Sequence, residues 1–147
     1  MTDLATRIAN GSIRALSIRQ PWCHHILHDG KDVENRDWPT KGRGWFLIHA
    51  SKSEAEDRDL IRAKQMPLGG IVGAARITDC VSEMDSNWFC GKFGFVLSDA
   101  FELPLIECRG KLGFFALEPE ILATVSAALK ARAMIDRSPP YQSPCAQ

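Results

Sequence analysis

Lys31, Glu34 and Arg36 are the residues whose types and spacing most suit chemistry. They lie in Lys31-Asp32-Val33-Glu34-Asn35-Arg36, where Val33 to Trp38 has strand character and Pro39 ends it. Residues two apart on a strand project to one side. Glu34 and Arg36 therefore face the same way, with Lys31 entering from the preceding turn. A carboxylate between an ammonium and a guanidinium stays ionised. It serves as a proton acceptor or receives a hydrogen bond from a base amino group. The guanidinium grips a carbonyl or phosphate in a planar fork. The lysine stabilises developing oxyanion charge, or acts as a base where burial lowers its pKa. A plain surface ion pair has the same spacing, and spacing alone leaves both readings open.

The surrounding chain adds binding groups. Arg19-Gln20-Pro21-Trp22 sits at a strand–helix junction, Arg43 lies in a turn, and His49, Ser51 and Lys52 end an apolar strand. His49 reads either as a satisfied structural histidine or as a cleft residue that titrates near neutrality. Ser51 and Lys52 suit phosphate, or a plain strand-end loop. From Arg14 to Lys52 seven bases face four acids, whereas residues 79–107 carry one base and six acids. A basic side and an acidic side thus hide inside a formal net charge of +0. Trp22, Trp38 and Trp45 fall in the basic segment, and cations interleaved with aromatic rings suit phosphates plus stacked bases. Trp22 is equally a core residue at a helix start, one of Trp38 and Trp45 is expected in the core, and Trp88 is the rim candidate. His24 and His28 have metal-binding spacing on a helix, but no further ligand is placed by sequence. Two exposed imidazoles are the simpler reading. Cys80 and Cys90 read either as a disulfide pair or redox switch or, more simply, as two reduced thiols, and Arg109 with Lys111 as a loop that extends the basic surface or a solvated turn.

These groups need elements to hold them. Ala15 to Arg19 reads as a strand, and Pro21 to Asp29 as a helix that Gly30 stops. Trp22, Cys23, Ile26 and Leu27 share one face of that helix. Trp45 to Ala50 is a third strand. Ser53 to Gln65 reads as a helix with capping-box spacing at Ser53 and Glu56. Ile71 to Val81 is a long strand bent at Gly73. Residues 82–92 form a loop, and two more strands are expected over Phe93–Ser98 and Leu112–Leu117. Pro119 opens a last helix with Ile121, Leu122, Val125, Ala128 and Leu129 on one stripe. That stripe is expected to dock on the sheet. The pattern gives a flexible leader over 1–13, a single domain over 14–135 that includes this helix, and a disordered tail over 136–147. Five to six short strands without βαβ alternation favour a small mixed or closed sheet with helices outside it.

Composition agrees. The chain has 147 residues, 45% hydrophobic and 24% charged, which is one ordinary globular domain. Charge balance excludes a strongly cationic nucleic-acid coat. No apolar run approaches the ~20 residues that span a bilayer, and no signal-peptide core opens the chain. Five cysteines without a Cys-x-x-Cys pair suggest neither a zinc ribbon nor a disulfide framework. A cytoplasmic location and no membrane partner are therefore expected.

The chain resembles the ASCH domain of the PUA-like superfamily. The matching text is Leu16-Ser17-Ile18-Arg19-Gln20-Pro21-Trp22, Gly30-Lys31-x-Val33-Glu34-Asn35-Arg36 and Gly44 with Leu47-Ile48-His49-Ala50. It continues through Gly70-Ile71-Val72-Gly73, Asp79-Cys80-Val81, Trp88, Phe93-Gly94-Phe95 and Gly110-x-Leu112-Gly113-Phe114-Phe115. The resemblance covers about residues 14–118. It implies an α+β, mostly β, pseudo-β-barrel of about five to six strands with flanking helices. It also implies a cleft lined by Lys31, Glu34 and Arg36, with Arg19, Gln20 and Trp22 on the opposite lip. RNA or nucleotide binding is the function implied, with hydrolysis of single-stranded RNA or of N4-acylated cytidine in some members. Lys31 would then be base or oxyanion stabiliser and Glu34 a proton acceptor. Glu34 stands where the amidohydrolase branch carries a threonine nucleophile, so a threonine mechanism does not transfer. No cofactor is implied, apart from a divalent metal in the ribonuclease version. A non-catalytic protein-interaction module, using the acidic 79–107 stretch, is the competing expectation.

Overall fold

Strand β3 (Gly44–Ala50) is apolar on both sides, and this decides the architecture. Phe46 and Ile48 face one core while Trp45 and Leu47 face another. A strand buried on both faces must lie in the middle of a covered sheet. The computed structural model describes residues 2–53 and 57–137. Its sheet has six strands in the order β2-β5-β4-β3-β1-β6. These are β1 (Ala15–Ile18), β2 (Val33–Arg36), β3, β4 (Gly70–Val81), β5 (Phe93–Glu107) and β6 (Phe114–Phe115). β1 and β3 are parallel; the other pairs are antiparallel. Four helices flank the sheet: α1 (Thr2–Ala9), α2 (Trp22–His28), α3 (Arg58–Ala63) and α4 (Pro119–Arg137). This is the mixed α+β pseudo-barrel expected from the sequence.

Curvature comes from β4 and β5. Their pairing slips at three places, between Ile71 and Gly73, Ala74 and Arg76, and Ile77 and Asp79. Such bulges bend and twist a pair of strands. A side chain at Gly73 would put its Cβ 2.4 Å from the Phe101 carbonyl oxygen, so only glycine allows the close approach. The sheet curls until Phe114 of β6 stacks on Phe95 of β5 (6.1 Å, 16°) and meets Trp38, just beyond β2, edge-on (5.9 Å). The two edges thus meet through aromatic rings rather than backbone hydrogen bonds.

Several sequence expectations are corrected. The expected leader over 1–13 contains α1, whose Leu4 and Ile8 are buried against Ile13 and Val125. Leu4 and Ile8, four residues apart, share one face of this amphipathic helix, a stripe only two buried residues long. Phe93–Ser98 was expected to end at Ser98, but β5 runs on to Glu107. Asp99 interrupts it at φ 57, and Pro104 falls between Glu102 and Ile106, in an interval without paired residues. β2 covers only residues 93–96 of β5, which leaves the proline an open edge. The strand expected over Leu112–Leu117 shrinks to two residues. Gly113 turns the chain at φ 65, and Leu112 before it is wholly exposed. The helix expected from Ser53 begins at Arg58, behind Asp57 in a left-handed conformation. Glu54 and Glu56, and so the capping box, lie outside the described residues. α4 extends two residues past 135, with the apolar stripe of Ile121, Leu122, Val125, Ala128 and Leu129 docked as expected. Residues 138–147 lie outside the described residues. No helix among those described is long and apolar enough to cross a membrane.

Because α1 completes the core, Leu4→Ala should destabilise the domain by ~2–5 kcal/mol in chemical denaturation. A flexible leader would show almost no change.

Candidate functional site

Gly30, at φ 72, ends α2 and turns the chain back under it. The Lys31 backbone N–H donates to the His25 carbonyl at 3.0 Å, closing the helix end. The Lys31 side chain is thereby driven inward, and the residue is only 4% exposed. Its Nζ donates to the Val33 carbonyl, stands 3.8 Å from Glu34 Oε1 and lies 5.8 Å from the Trp22 ring. On β2, Glu34 and Arg36 project together as their spacing requires. Arg36 Nε donates to Glu34 Oε2 at 3.1 Å, and Nη2, 3.0 Å from the same oxygen, donates to the Ser17 carbonyl at 2.8 Å. Burial lowers the Lys31 pKa, and the Glu34 carboxylate opposes that shift. The row carries two cations and one carboxylate, so it attracts anions.

This row floors an open cleft of ≈ 920 Å³. Trp22, Trp38 and Trp88 wall it, with Arg19 at its mouth. Trp38 is committed on one side, edge-on to Phe95 (5.2 Å), with the Arg36 guanidinium 5.8 Å above its ring. Trp88 rests on His25 at 5.2 Å and stays half-buried, as suits a rim. Trp45 is the tryptophan that packs the core. The Trp88 wall is held by Asn35, a residue not marked beforehand. Asn35 Nδ2 donates to the Trp88 carbonyl at 2.9 Å, and Oδ1 accepts from the Cys90 N–H at 3.0 Å. Its place in the strand offered the only signal, since it points away from Glu34 and Arg36 toward the next loop.

A second groove of ≈ 1090 Å³ adjoins the first and shares Ser17, Arg19 and Arg36 with it. It is lined by Ser51 and Lys52, and by Arg109 and Lys111 from the loop after β5. His49 lies beneath it rather than free in it. Its Nε2 donates to the Cys108 carbonyl at 2.8 Å, and the Ser17 hydroxyl donates to Nδ1 at 3.0 Å. The histidine is 2% exposed and anchors the Arg109–Lys111 loop. Of its two sequence readings, the structural one fits.

Two expected ligand residues are corrected. Gln20 is 1% exposed, with Nε2 donating to the Pro67 carbonyl and Oε1 accepting from the His24 N–H. It satisfies an orphan donor at the start of α2, so both its polar atoms are spent on the fold. Arg43 lies elsewhere, donating to the Thr40 and Gly42 carbonyls of its own turn and pairing with Asp79 at 3.6 Å. Three of the six acids of the 79–107 stretch are likewise drawn into internal pairs, Asp79 being one. Asp99 meets Arg76 at 2.9 Å and Glu102 meets His28 at 2.7 Å. His24 packs on His28, 4.7 Å between rings. Among the described residues, no three His, Cys, Asp or Glu side chains gather as a metal site. Cys23 is no nucleophile: burial pushes its thiol far up, and its Sγ donates to the Ile18 carbonyl.

Fold and site together define a small α+β pseudo-barrel with a cationic, tryptophan-walled cleft at one strand–helix junction. Its sequence matches the ASCH domain model over residues 16–120, and the chain belongs to that family, whose domains are generally RNA-binding. It is also similar to the human (Homo sapiens) protein Activating signal cointegrator 1, with 30% identity over 83 residues. That match covers 46% of this chain and only 14% of the human protein.

The Glu34 carboxylate supports the charge on Lys31, so Glu34→Gln should lower the Lys31 pKa further. Nitrogen NMR of the labelled lysine side chain reads this directly. The folded protein holds the Lys31 proton more weakly than the unfolded chain does. Stability should therefore rise as pH climbs from the lowered folded value toward the ordinary 10.5. Asn35→Ala should release the Trp88 wall, seen as faster hydrogen exchange at the Cys90 amide and a red-shifted tryptophan emission.

Proposed function

We propose that this ASCH domain binds single-stranded RNA or a nucleotide, with a base in the tryptophan-walled cleft and phosphate on its cations. The observation that carries this is the Lys31–Glu34–Arg36 row, with lysine and glutamate buried and arginine half-buried, on the floor of an open cleft. Glu34 Oε2 is occupied by Arg36, whereas among the described residues Oε1 is approached only by Lys31, at 3.8 Å. That oxygen is left to accept from an exocyclic amine. Trp22 and Trp88 offer ring faces, and stacking on such rings contributes ~1–3 kcal/mol per base. Arg19 receives phosphate in a fork, and Nη1 of Arg36 adds a single charged donor beside its bonds to Glu34 and the Ser17 carbonyl.

The lowered pKa of buried Lys31 supports a second reading, in which the same row is hydrolytic on RNA or on N4-acylated cytidine. Lys31 would act as base or oxyanion stabiliser, and Glu34 would accept a proton and position water. A group so placed contributes ~10²–10⁴-fold. A protein-interaction module is supported less, because Asp79, Asp99 and Glu102 of the acidic stretch already pair within the domain. The name of the human relative belongs to a far longer protein and gives this domain no activity of its own.

A titration with short single-stranded RNA at several salt concentrations tests the binding reading. Affinity should fall steeply with salt, and Arg36→Ala or Lys31→Met should weaken it by ~10-fold or more. Binding indifferent to both substitutions would remove the cleft from consideration. Mass spectrometry after incubation with RNA and N4-acetylcytidine separates binding from hydrolysis: shortened RNA or free cytidine, lost in Lys31→Met and Glu34→Gln, supports the second reading.

A further inference from the structure

We propose that the second groove is a channel for the sugar–phosphate backbone of single-stranded RNA leaving the tryptophan-walled cleft. One base sits in the cleft, and the phosphates of neighbouring nucleotides run past Arg19 and Arg36 to Lys52, Arg109 and Lys111. This rests on the nucleotide-binding reading of the cleft and extends it from one nucleotide to a strand.

Continuity is the first argument. Ser17, Arg19 and Arg36 line both depressions, so a chain seated in one enters the other without leaving the protein surface. Charge is the second. Five cationic side chains, Arg19, Arg36, Lys52, Arg109 and Lys111, line the groove against one carboxylate, Glu107. Among the described residues, Arg19, Arg109 and Lys111 have no ion-pair partner. On other faces, Arg43 pairs with Asp79, Arg76 with Asp99, and Arg7 donates to the Trp45 carbonyl. Three cations without an ion-pair partner among the described residues thus share this groove with Arg36 and Lys52, where they repel each other until an anion arrives.

The groove is also built rather than incidental. The stem of Lys52 lies across Gly69, whose φ of 80° turns the chain beside it in a conformation that favours glycine. On the opposite bank, Gly110 covers the His49–Ser17 pair, and a Cβ there would lie 2.8 Å from the imidazole. That contact and the His49–Cys108 hydrogen bond hold the loop bearing Arg109 and Lys111 against the sheet. The spacing of such cations along a groove tracks a flexible backbone, while stacking in the cleft requires an unpaired base.

The test compares cytidine monophosphate with the hexacytidylate RNA on the intact protein and on the double variant Arg109→Ser/Lys111→Ser. Both substituted residues are exposed loop positions. The hexanucleotide should bind the intact protein at least ~10-fold more tightly than the monophosphate. In the double variant that ratio should collapse several-fold, and the slope of log affinity against log salt should flatten by about one. A ratio that survives the double substitution overturns the channel. So does a hexanucleotide no tighter than the monophosphate, and the cleft reading then stands alone. Failure of the intact protein to bind either probe overturns the cleft reading and the channel with it. Equal affinity for a hexamer duplex, or displacement of the RNA by an oligoglutamate of equal length, overturns it in favour of a general polyanion surface.

Discussion

Burying the Lys31–Glu34–Arg36 row is the constraint on which the rest of the domain turns. Removing an ion from water costs several kcal/mol even after the protein relaxes. The fold must therefore supply each charged group with partners. Gly30 swings Lys31 under α2, the Val33 carbonyl receives its ammonium, and the Ser17 carbonyl receives the outer nitrogen of Arg36. Those partners come from the α2–β2 turn, from β2 and from β1. β1 and β2 are far apart in the sheet order. Only a sheet curled enough to bring its edges together can let Arg36 span them. The bulges of β4 and β5 and the ring contacts of Phe114 are thus conditions for the charge row as well as for the core.

A second division runs through the polar groups. One set is spent on the fold: Gln20 at the start of α2, His49 with Ser17 beneath the groove, and Asn35 behind Trp88. Buried polar groups without partners are costly, and among the described residues no buried side-chain nitrogen or oxygen lacks one. The other set faces the depressions with capacity left over: Glu34 Oε1, Arg19, Arg109 and Lys111. Recognition belongs to this second set. The first holds its geometry steady, because each member links two elements that would otherwise move independently.

Local pattern made much of this legible. The helix bounded by Pro21 and Gly30, the strand at Trp45–Ala50 and the stripe on α4 follow from periodicity and from residues with special backbone angles. The common face of Glu34 and Arg36 follows from the two-residue repeat of a strand. The misses share a cause. α1 is short, and its two buried residues matter only because α4 and the sheet cover them. β5 carries Asp99, Glu102 and Pro104, which break a local strand pattern but are absorbed by register slips against β4. Gln20 and Arg43 looked like ligands because polar residues near a motif look alike in one dimension. Burial and spent hydrogen bonds took Gln20 out of that set, and its place in a separate turn took Arg43 out.

Residue order was enough to establish a charged row with alternating sides, a glycine that stops a helix, and basic and acidic halves inside a neutral chain. Those are local properties, set by backbone angles and by repeats of two or 3.6 residues. Which tryptophans wall the cleft, that His49 lies beneath the groove, and which acids of the 79–107 stretch meet a cation were decided by folding. Each depends on which side chains meet across many residues of sequence, and such meetings are chosen by the packing of the whole sheet rather than by any one segment of it.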